Sequence, residues 1–245
     1  MAKQFTRLDR LLVDRGLSAS RQRAQALILT ARVTVDGRAV TKVGQRVCCD
    51  SNITIADDPV PYVSRGGIKL EHAIRAFDVQ VKDMVAMDVG ASTGGFTDCL
   101  LQYGAKRVYA IDVGYGQLAW KLRQDPRVVV RERQNIRYLT LEQVPEPIHL
   151  ATIDTSFISL RLVIPAVIPF LTSAAKFVAL IKPQFEAGRE RVGKGGVVRD
   201  AEVHSEVCHT LMEFCQGFGL EVLGVIPSPI LGPKGNREFL MLAGA

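Results

Sequence analysis

The chain has 245 residues, 47% hydrophobic and 23% charged, a composition that suits globular domains and excludes wholesale disorder. No run approaches the ~20 apolar residues that span a bilayer. The opening MAKQFTRLDRLLVDRG carries charges where a secretory leader needs an apolar stretch, so a cytoplasmic protein with no membrane segment is expected. The net charge of +6 is uneven. Residues 1–60 hold 10 Lys and Arg against 6 Asp and Glu, whereas the rest hold 21 against 19, an asymmetry expected of an N-terminal piece that meets a polyanion.

In chain order, Leu8, Leu11, Leu12 and Leu17 recur at helical spacing, and Gly16 closes that predicted helix. Ser18 or Ser20 then caps a second helix to about Thr30, with Ala24, Leu27 and Ile28 on its apolar face. Arg32–Val35 alternates like a strand before the hairpin turn Asp36-Gly37, and short strands follow near Ala39–Val43 and Asn52–Ile55. This order leaves a row of guanidinium groups able to pair with phosphates. The segment RLDRLLVDRGLSASRQRAQALILTARVTVDG resembles the ribosomal-protein-S-four-like RNA-binding fold. The resemblance implies a small α+β RNA-binding domain over residues 5–57, with Arg7, Arg10, Arg21 and Arg23 as RNA contacts.

Residues 58–64, which contain two prolines, read as a linker, and a second domain is expected over residues 65–245. Apolar runs at Met84–Val89, Val108–Val113, Val128–Val130, Ile148–Ile153, Phe177–Ile181 and Glu221–Val225 read as strands. Helical patterns lie between them at Asp98–Tyr103, Leu118–Gln124, Leu160–Leu171 and Ala201–Phe218. The alternation predicts a parallel sheet covered on both faces, followed by a loop over Ser228–Lys234 and a last strand Arg237–Ala243 with no helix after it. None of the five cysteines forms a C-x-x-C pair, and the four histidines show no ligand spacing, so no metal site is expected.

MDVGASTGGFTD follows a predicted strand and opens a helix. Its spacing is neither that of nicotinamide enzymes nor that of a phosphate-binding loop with its lysine. Asp88 before the glycines and Asp112 at the end of the next strand offer carboxylates in place of phosphate cradles, which fits S-adenosylmethionine. The cofactor-binding candidates are Asp88, Gly90, Ala91, Ser92, Thr93, Gly94, Gly95 and Asp112, with Asn135 bordering the adenine. Lys69, Asp154, Lys182 and Glu238 stand at or near element ends, and ligands of open α/β sheets bind outside the carboxyl ends of the strands. Phe157 and Tyr115 read either as core aromatics or as platforms for a nucleobase.

YVSRGGIKL, DVGASTGGFTD, DVGYGQLAW, SFISL, KPQFEAG, GKGGVV and GNREF together resemble the TlyA family of ribosomal RNA 2'-O-methyltransferases, over essentially the whole chain. The second half also resembles the wider FtsJ-type group. The resemblance implies a Rossmann-like (class I) methyltransferase sheet of α/β class and a Lys-Asp-Lys-Glu catalytic tetrad on Lys69, Asp154, Lys182 and Glu238. It implies S-adenosylmethionine as methyl donor without a metal, and ribosomal RNA or ribosomal subunits as partner, with Arg65 a further RNA contact. Thr155 departs from the valine expected in this family and leaves the tetrad intact. Two other readings compete: an RNA-binding protein with a degenerate enzyme domain, which the intact loop and tetrad oppose, and the membrane lysis suggested by the haemolysin label of some relatives. Lysis finds no spanning segment or amphipathic lytic helix to support it.

Overall fold

A computed structural model describes residues 4–18, 20–29, 31–56 and 61–244, and the chain divides into two compact units, Met1–Pro59 and Val60–Ala245. The first contains strand β1 (Phe5–Arg7), helices α1 (Leu8–Asp14) and α2 (Arg21–Leu29), and strands β2 (Val33–Val35), β3 (Arg38–Val40), β4 (Arg46–Cys48) and β5 (Ile53–Ile55). Gly16 closes α1 as expected: at φ +68° it lets the amides of Gly16 and Leu17 turn back onto the carbonyls of Val13 and Leu12. Of the two serines proposed as caps, Ser20 accepts the Arg23 amide (3.2 Å), while the Ser18 hydroxyl donates to the Ser20 carbonyl. The expected helix end at Thr30 and linker residues 58–60 lie outside the described residues.

Leu8, Leu12, Ala24, Ile28 and Val33 are fully buried and make this small core, each large side chain contributing about 1.5–3 kcal/mol. Leu17 falls beyond the helix and is 40% exposed, so it leaves the predicted apolar face. β2 is the middle strand of an antiparallel sheet in the order β3-β2-β5, and both Asp36 and Gly37 take the positive φ that a tight hairpin turn requires. A second antiparallel pair, β1 with β4, was not expected; three-residue strands are too short to show an alternating pattern.

The second unit holds α3 (Gly66–Ala76), β6 (Val85–Val89), α4 (Gly95–Gln102), β7 (Arg107–Ile111), α5 (Trp120–Arg123), β8 (Val128–Arg131), β9 (Ile148–Ile153), α6 (Leu160–Val167), β10 (Leu171–Ile181), α7 (Pro183–Glu186), α8 (Ala201–Gly217), β11 (Glu221–Pro227) and β12 (Phe239–Gly244). Among the described residues seven strands form one sheet in the order β11-β12-β10-β9-β6-β7-β8. The five from β10 to β8 run parallel, as the βα alternation predicted, but β12 pairs antiparallel with both β10 and β11. The last strand, set apart in the sequence by having no helix after it, makes the sheet mixed at that edge, where no crossover helix separates β11 from β12.

Both faces are covered. Val85, Met87 and Val89 pack with Val163, Ile164, Val207 and Leu211 from α6 and α8, whereas Ala86 packs with Leu70, Ala73 and Leu100 from α3 and α4. The predicted linker is corrected at its C-terminal end. Tyr62 is buried in the α3–α4 face, and the Val63 amide donates to Asp98 Oδ2 (2.8 Å), so these residues belong to the packed body.

Asp9 is an acid on the first turn of α1 with no exposed surface, and four donor atoms hold it: Arg7 Nε (3.0 Å) and Nη2 (3.1 Å), Arg21 Nε (2.8 Å) and Gln25 Nε2 (3.0 Å). The Arg7 hydrogen bond is the largest cause holding its carboxyl well below the usual range. A depressed acid stabilises the fold above its unfolded value, about 4, and the contribution fades as pH falls towards its folded value. Asp9→Ala should cost about 1–3 kcal/mol, read as faster amide exchange across residues 8–28. In Asp9→Asn, the acid-side loss of protection in that segment should be smaller than in the wild type.

Candidate active site

The crevice forms where β6 and β9 end side by side. The Asp154 amide donates to the Val89 carbonyl (2.9 Å), and Gly90, at φ +87°, passes so close that a Cβ there would lie 2.6 Å from the Asp154 carbonyl oxygen. Only glycine meets both demands. The amides of Gly90 and Ala91 donate to the Ile111 carbonyl, and Ser92 donates its amide to Asp112 Oδ2 (2.7 Å). Asp112 Oδ1 accepts the Gly114 amide (2.6 Å), so this carboxylate fixes the loops on both sides of it. Gly94 turns into α4 at φ +96°, and any side chain there would overlap Leu118 and Leu122.

Three connected cavities open around Asp154 and Ser156. One, of about 630 Å³, is lined by Arg65, Lys69, Gly90–Thr93, Gly95 and Lys182. A second, of about 410 Å³, carries Asp112 and Asn135 among the apolar side chains of Ile111, Val113, Ile136 and Val163. The third, of about 390 Å³, holds Lys69, Asp154, Lys182 and Glu238 together with Phe157, Phe185 and Gln184.

The four charged candidates therefore converge, as two ion pairs. Lys69 Nζ stands 2.5 Å from Glu238 Oε2, and Lys182 Nζ stands 2.5 Å from Asp154 Oδ1. Lys182 Nζ also donates to the Thr155 carbonyl (2.9 Å) and to Ser156 Oγ (3.0 Å), while Asp154 Oδ1 faces it as an ion pair and has no hydrogen-bond partner among the described residues. Glu238 is 2% exposed, and its second oxygen, Oε1, has no hydrogen-bond partner among the described residues. Gly232 lines the first of these cavities and passes so close to Glu238 that a Cβ there would overlap its carboxylate.

Not every candidate reaches the crevice. Asp88 is fully buried beneath the loop, accepting hydrogen bonds from Thr97 Oγ1 (2.6 Å) and Thr152 Oγ1 (3.2 Å), and it lines none of the three cavities. Strand alternation explains this: Asp88 shares the α4 side of β6 with Ala86, opposite Met87 and Val89. Gly94 is likewise absent from the lining, and Asn135 spends its side-chain oxygen on the Arg137 amide (3.0 Å) while still bordering the second cavity. Sequence reading missed Ser64, Ser156, Gln134 and Gly232; of these only Ser64 and Ser156 stand inside the motifs singled out.

Phe157 is 91% exposed at φ +64° and Tyr115 is 68% exposed beneath the Arg133 guanidinium, so neither is a core aromatic. Arg65 donates Nη2 to the Leu231 carbonyl (2.8 Å), and both residues line the first of the three cavities. In the first unit Arg7 and Arg21 are tied to Asp9, Arg10 lies 3.6 Å from Asp14, and Arg23 is exposed.

Residues 62–245 match the model of the FtsJ-like methyltransferases, and residues 6–51 match the S4 domain. The chain belongs to the TlyA family of FtsJ-like methyltransferases. It is 45% identical to TlyA of Mycobacterium tuberculosis, a 16S/23S rRNA (cytidine-2'-O)-methyltransferase, over 96% of this chain and 88% of that one. YqxC of Bacillus subtilis is 50% identical over 98% of this chain and 86% of its own length. A structure from Streptococcus thermophilus that carries a hemolysin designation superposes with a TM-score of 0.77 at 43% identity, covering 99% of this chain and 89% of that one.

Within this TlyA-family chain the burial of Asp88 has a measurable consequence. Desolvation is the largest cause raising its carboxyl to about 7, with Asp154 adding to the rise and Thr97 and Thr152 opposing it. The unfolded value is about 4, so the protonated acid favours the folded state. That contribution is complete below about pH 4 and is lost as pH rises through about 7. The melting temperature of Asp88→Asn should therefore gain on that of the wild type between pH 5 and 8. A difference that stays constant across that range would contradict a buried, proton-holding Asp88.

Proposed function

We propose that the protein methylates the ribose 2'-hydroxyl of a cytidine in ribosomal RNA, using S-adenosylmethionine, with the N-terminal unit capturing the RNA. The observation that carries this reading is the meeting of Lys69–Glu238 and Lys182–Asp154 beside the glycine loop. The M. tuberculosis relative named for this activity on 16S and 23S rRNA supports it. The second cavity suits an adenosine: apolar side chains from Ile111, Val113, Ile136 and Val163 share its lining with polar groups that include the carboxylates of Asp112 and Asp154. Gly90 adds a close backbone approach that a Cβ would fill. Gly90–Thr93, Gly95, Asp112 and Asn135 would hold the cofactor, with Asp88 and Gly94 supporting the loop from below.

When bound, S-adenosylmethionine supplies a methyl group on a positively charged sulfur. The ribose oxygen forms a bond to that carbon as the carbon–sulfur bond breaks, and the hydroxyl proton must leave. Lys182 is placed to orient the hydroxyl and, once one of its own protons has gone, to receive the leaving one. Lys69 supplies the neighbouring positive charge, while Asp154 and Glu238 fix the two ammonium groups. Phe157 and Tyr115, both exposed, serve as stacking surfaces for unpaired bases. Arg7, Arg10, Arg21, Arg23 and Arg65 are the proposed phosphate contacts, and no metal enters the scheme.

The proposed RNA-binding domain spans residues 5–57, and the catalytic domain begins near Pro61, ahead of the residue-65 start expected from sequence. No helix of the described residues is long and apolar enough to cross a membrane, and nothing in the crevice favours a lytic reading. The proposed compartment is the cytoplasm, where ribosomal RNA is made in bacteria.

Labelled S-adenosylmethionine, incubated with unmodified ribosomal subunits and with naked rRNA, should place label on a ribose 2'-oxygen that mapping can locate. Absence of label from every RNA form, with tight RNA binding retained, would favour the degenerate-enzyme reading. Lys182→Ala should lower transfer by at least about 100-fold with cofactor affinity kept. Removing residues 1–60 should weaken RNA capture far more than cofactor binding, and capture by the intact chain should fall steeply with salt.

A further inference from the structure

Glu186, at the end of α7, is unused in the scheme above, yet it makes a cross-link between two loops of the crevice. Its Oε2 accepts from the Ser159 hydroxyl (2.6 Å) and its Oε1 accepts from the Leu160 amide (2.7 Å). Ser159 in turn caps α6 by accepting the Arg161 amide (3.2 Å), and Leu160 is buried in the core. The carboxylate therefore grips the first turn of α6, where the chain leaves the loop that follows β9.

The other end of that loop is held from the same segment after β10. Lys182 contacts Asp154, the Thr155 carbonyl and Ser156 Oγ. Only Phe157 and Ile158 lie between the two anchors. Phe157 sits in the left-handed region at φ +64°, a conformation that a bulky residue keeps only where its surroundings over-determine it. Its ring is almost fully exposed and meets Phe185, the neighbour of Glu186, at 5.1 Å between centroids. Phe157 also borders both the cavity with Asp112 and the cavity with the four charged residues, so it forms part of the wall between them.

We propose that Glu186 is a positioning residue for methyl transfer: by holding Ser159 and Leu160 it sets Phe157 between the donor cavity and the acceptor pocket. This deepens the methyltransferase reading and rests on it for the kinetic part alone. Burial raises the Glu186 carboxyl, consistent with a side chain placed for contact with the loop rather than with solvent.

The test compares full-length wild type, Glu186→Ala and Glu186→Gln. Glu186→Ala should lower kcat on rRNA by about 10- to 100-fold, as a misplacement near 1 Å does. Its S-adenosylhomocysteine affinity, from calorimetry, should stay within about threefold, because Glu186 lines none of the cavities. Glu186→Gln, whose amide can still accept from Leu160 and donate to Ser159, should recover most of the rate. Independently of activity, amide exchange over residues 154–160 should quicken in the alanine variant and return towards wild type in the glutamine one.

Unchanged exchange, unchanged kcat, or a glutamine variant as damaged as the alanine one would each overturn the proposal. A fall in cofactor affinity matching the fall in rate would overturn it too, since that is general structural damage. Should Glu186→Ala fail to fold, Ser159→Ala removes one of the two Glu186 hydrogen bonds together with the α6 cap, and it must likewise quicken exchange over residues 154–160 and lower kcat with S-adenosylhomocysteine affinity kept. A wild type that methylates no RNA would sink the functional reading, and the exchange measurement would still decide what Glu186 does to the loop.

Discussion

The crossing of Gly90 and Asp154 is the contact on which the site depends. Two neighbouring parallel strands, β6 and β9, end in register, and the chain leaving each must bend away from the other to open a crevice. At the crossing the Val89 carbonyl takes the Asp154 amide, and the Gly90 Cα rests against the Asp154 carbonyl. A side chain at position 90 would drive the two loops apart. That would move Asp154, its Lys182 partner and the Ser92–Asp112 hydrogen bond together, because all of them radiate from this point. Three cavities meet here for the same reason: Asp154 borders each of them.

The antiparallel strand β12 has a chemical purpose in this frame. Parallel strands deliver residues to the crevice only from their carboxyl ends, as β9 delivers Asp154 and β10 delivers Lys182. A strand running the other way delivers a residue from its start. Phe239 pairs with Ile181, so Glu238, one residue before, arrives beside Lys182 at the crevice end of the sheet. Its carboxylate then meets Lys69 from α3. Two nearly buried ion pairs are a poor source of stability, because desolvating four charges offsets much of their attraction. Their convergence in one pocket makes sense as preorganised charge for a reaction in which a hydroxyl proton departs and a sulfonium charge disappears.

Much of this was legible in the sequence, and the failures have physical causes. Glycine spacing after a strand, together with charged residues at or near element ends, pointed to the crevice in which Lys69, Asp154, Lys182 and Glu238 meet, because strand ends fix where a side chain can go. Asp88 was misplaced because the motif shows an acid before glycines but not which face of the sheet it takes. The alternation of Met87 and Val89 with Ala86 contained that answer, and Thr97 on the following helix was the partner to look for. Tyr62 and Val63 read as linker since prolines nearby outweighed one aromatic, and nothing local reveals that Asp98, thirty-five residues on, accepts the Val63 amide. The role of Glu186 was also hidden, for its partners are twenty-six and twenty-seven residues earlier in the chain.

The N-terminal arginines show how a charge pattern differs from a binding surface. Read as a row, Arg7 and Arg21 are two mobile cations. In the folded unit one buried carboxylate, Asp9, holds both by their Nε atoms, while their side chains remain 47% and 59% exposed. The acid lowers the local charge, which weakens long-range attraction for a polyanion. It also fixes the direction of two long side chains, so less rotamer entropy would be lost in the phosphate pairing proposed for them. Non-specific capture depends mainly on charge, whereas a fixed pair of guanidiniums favours backbones whose phosphates have matching spacing. In an enzyme that must find one ribose among thousands of nucleotides, exchanging some attraction for fixed geometry favours register over mere adhesion.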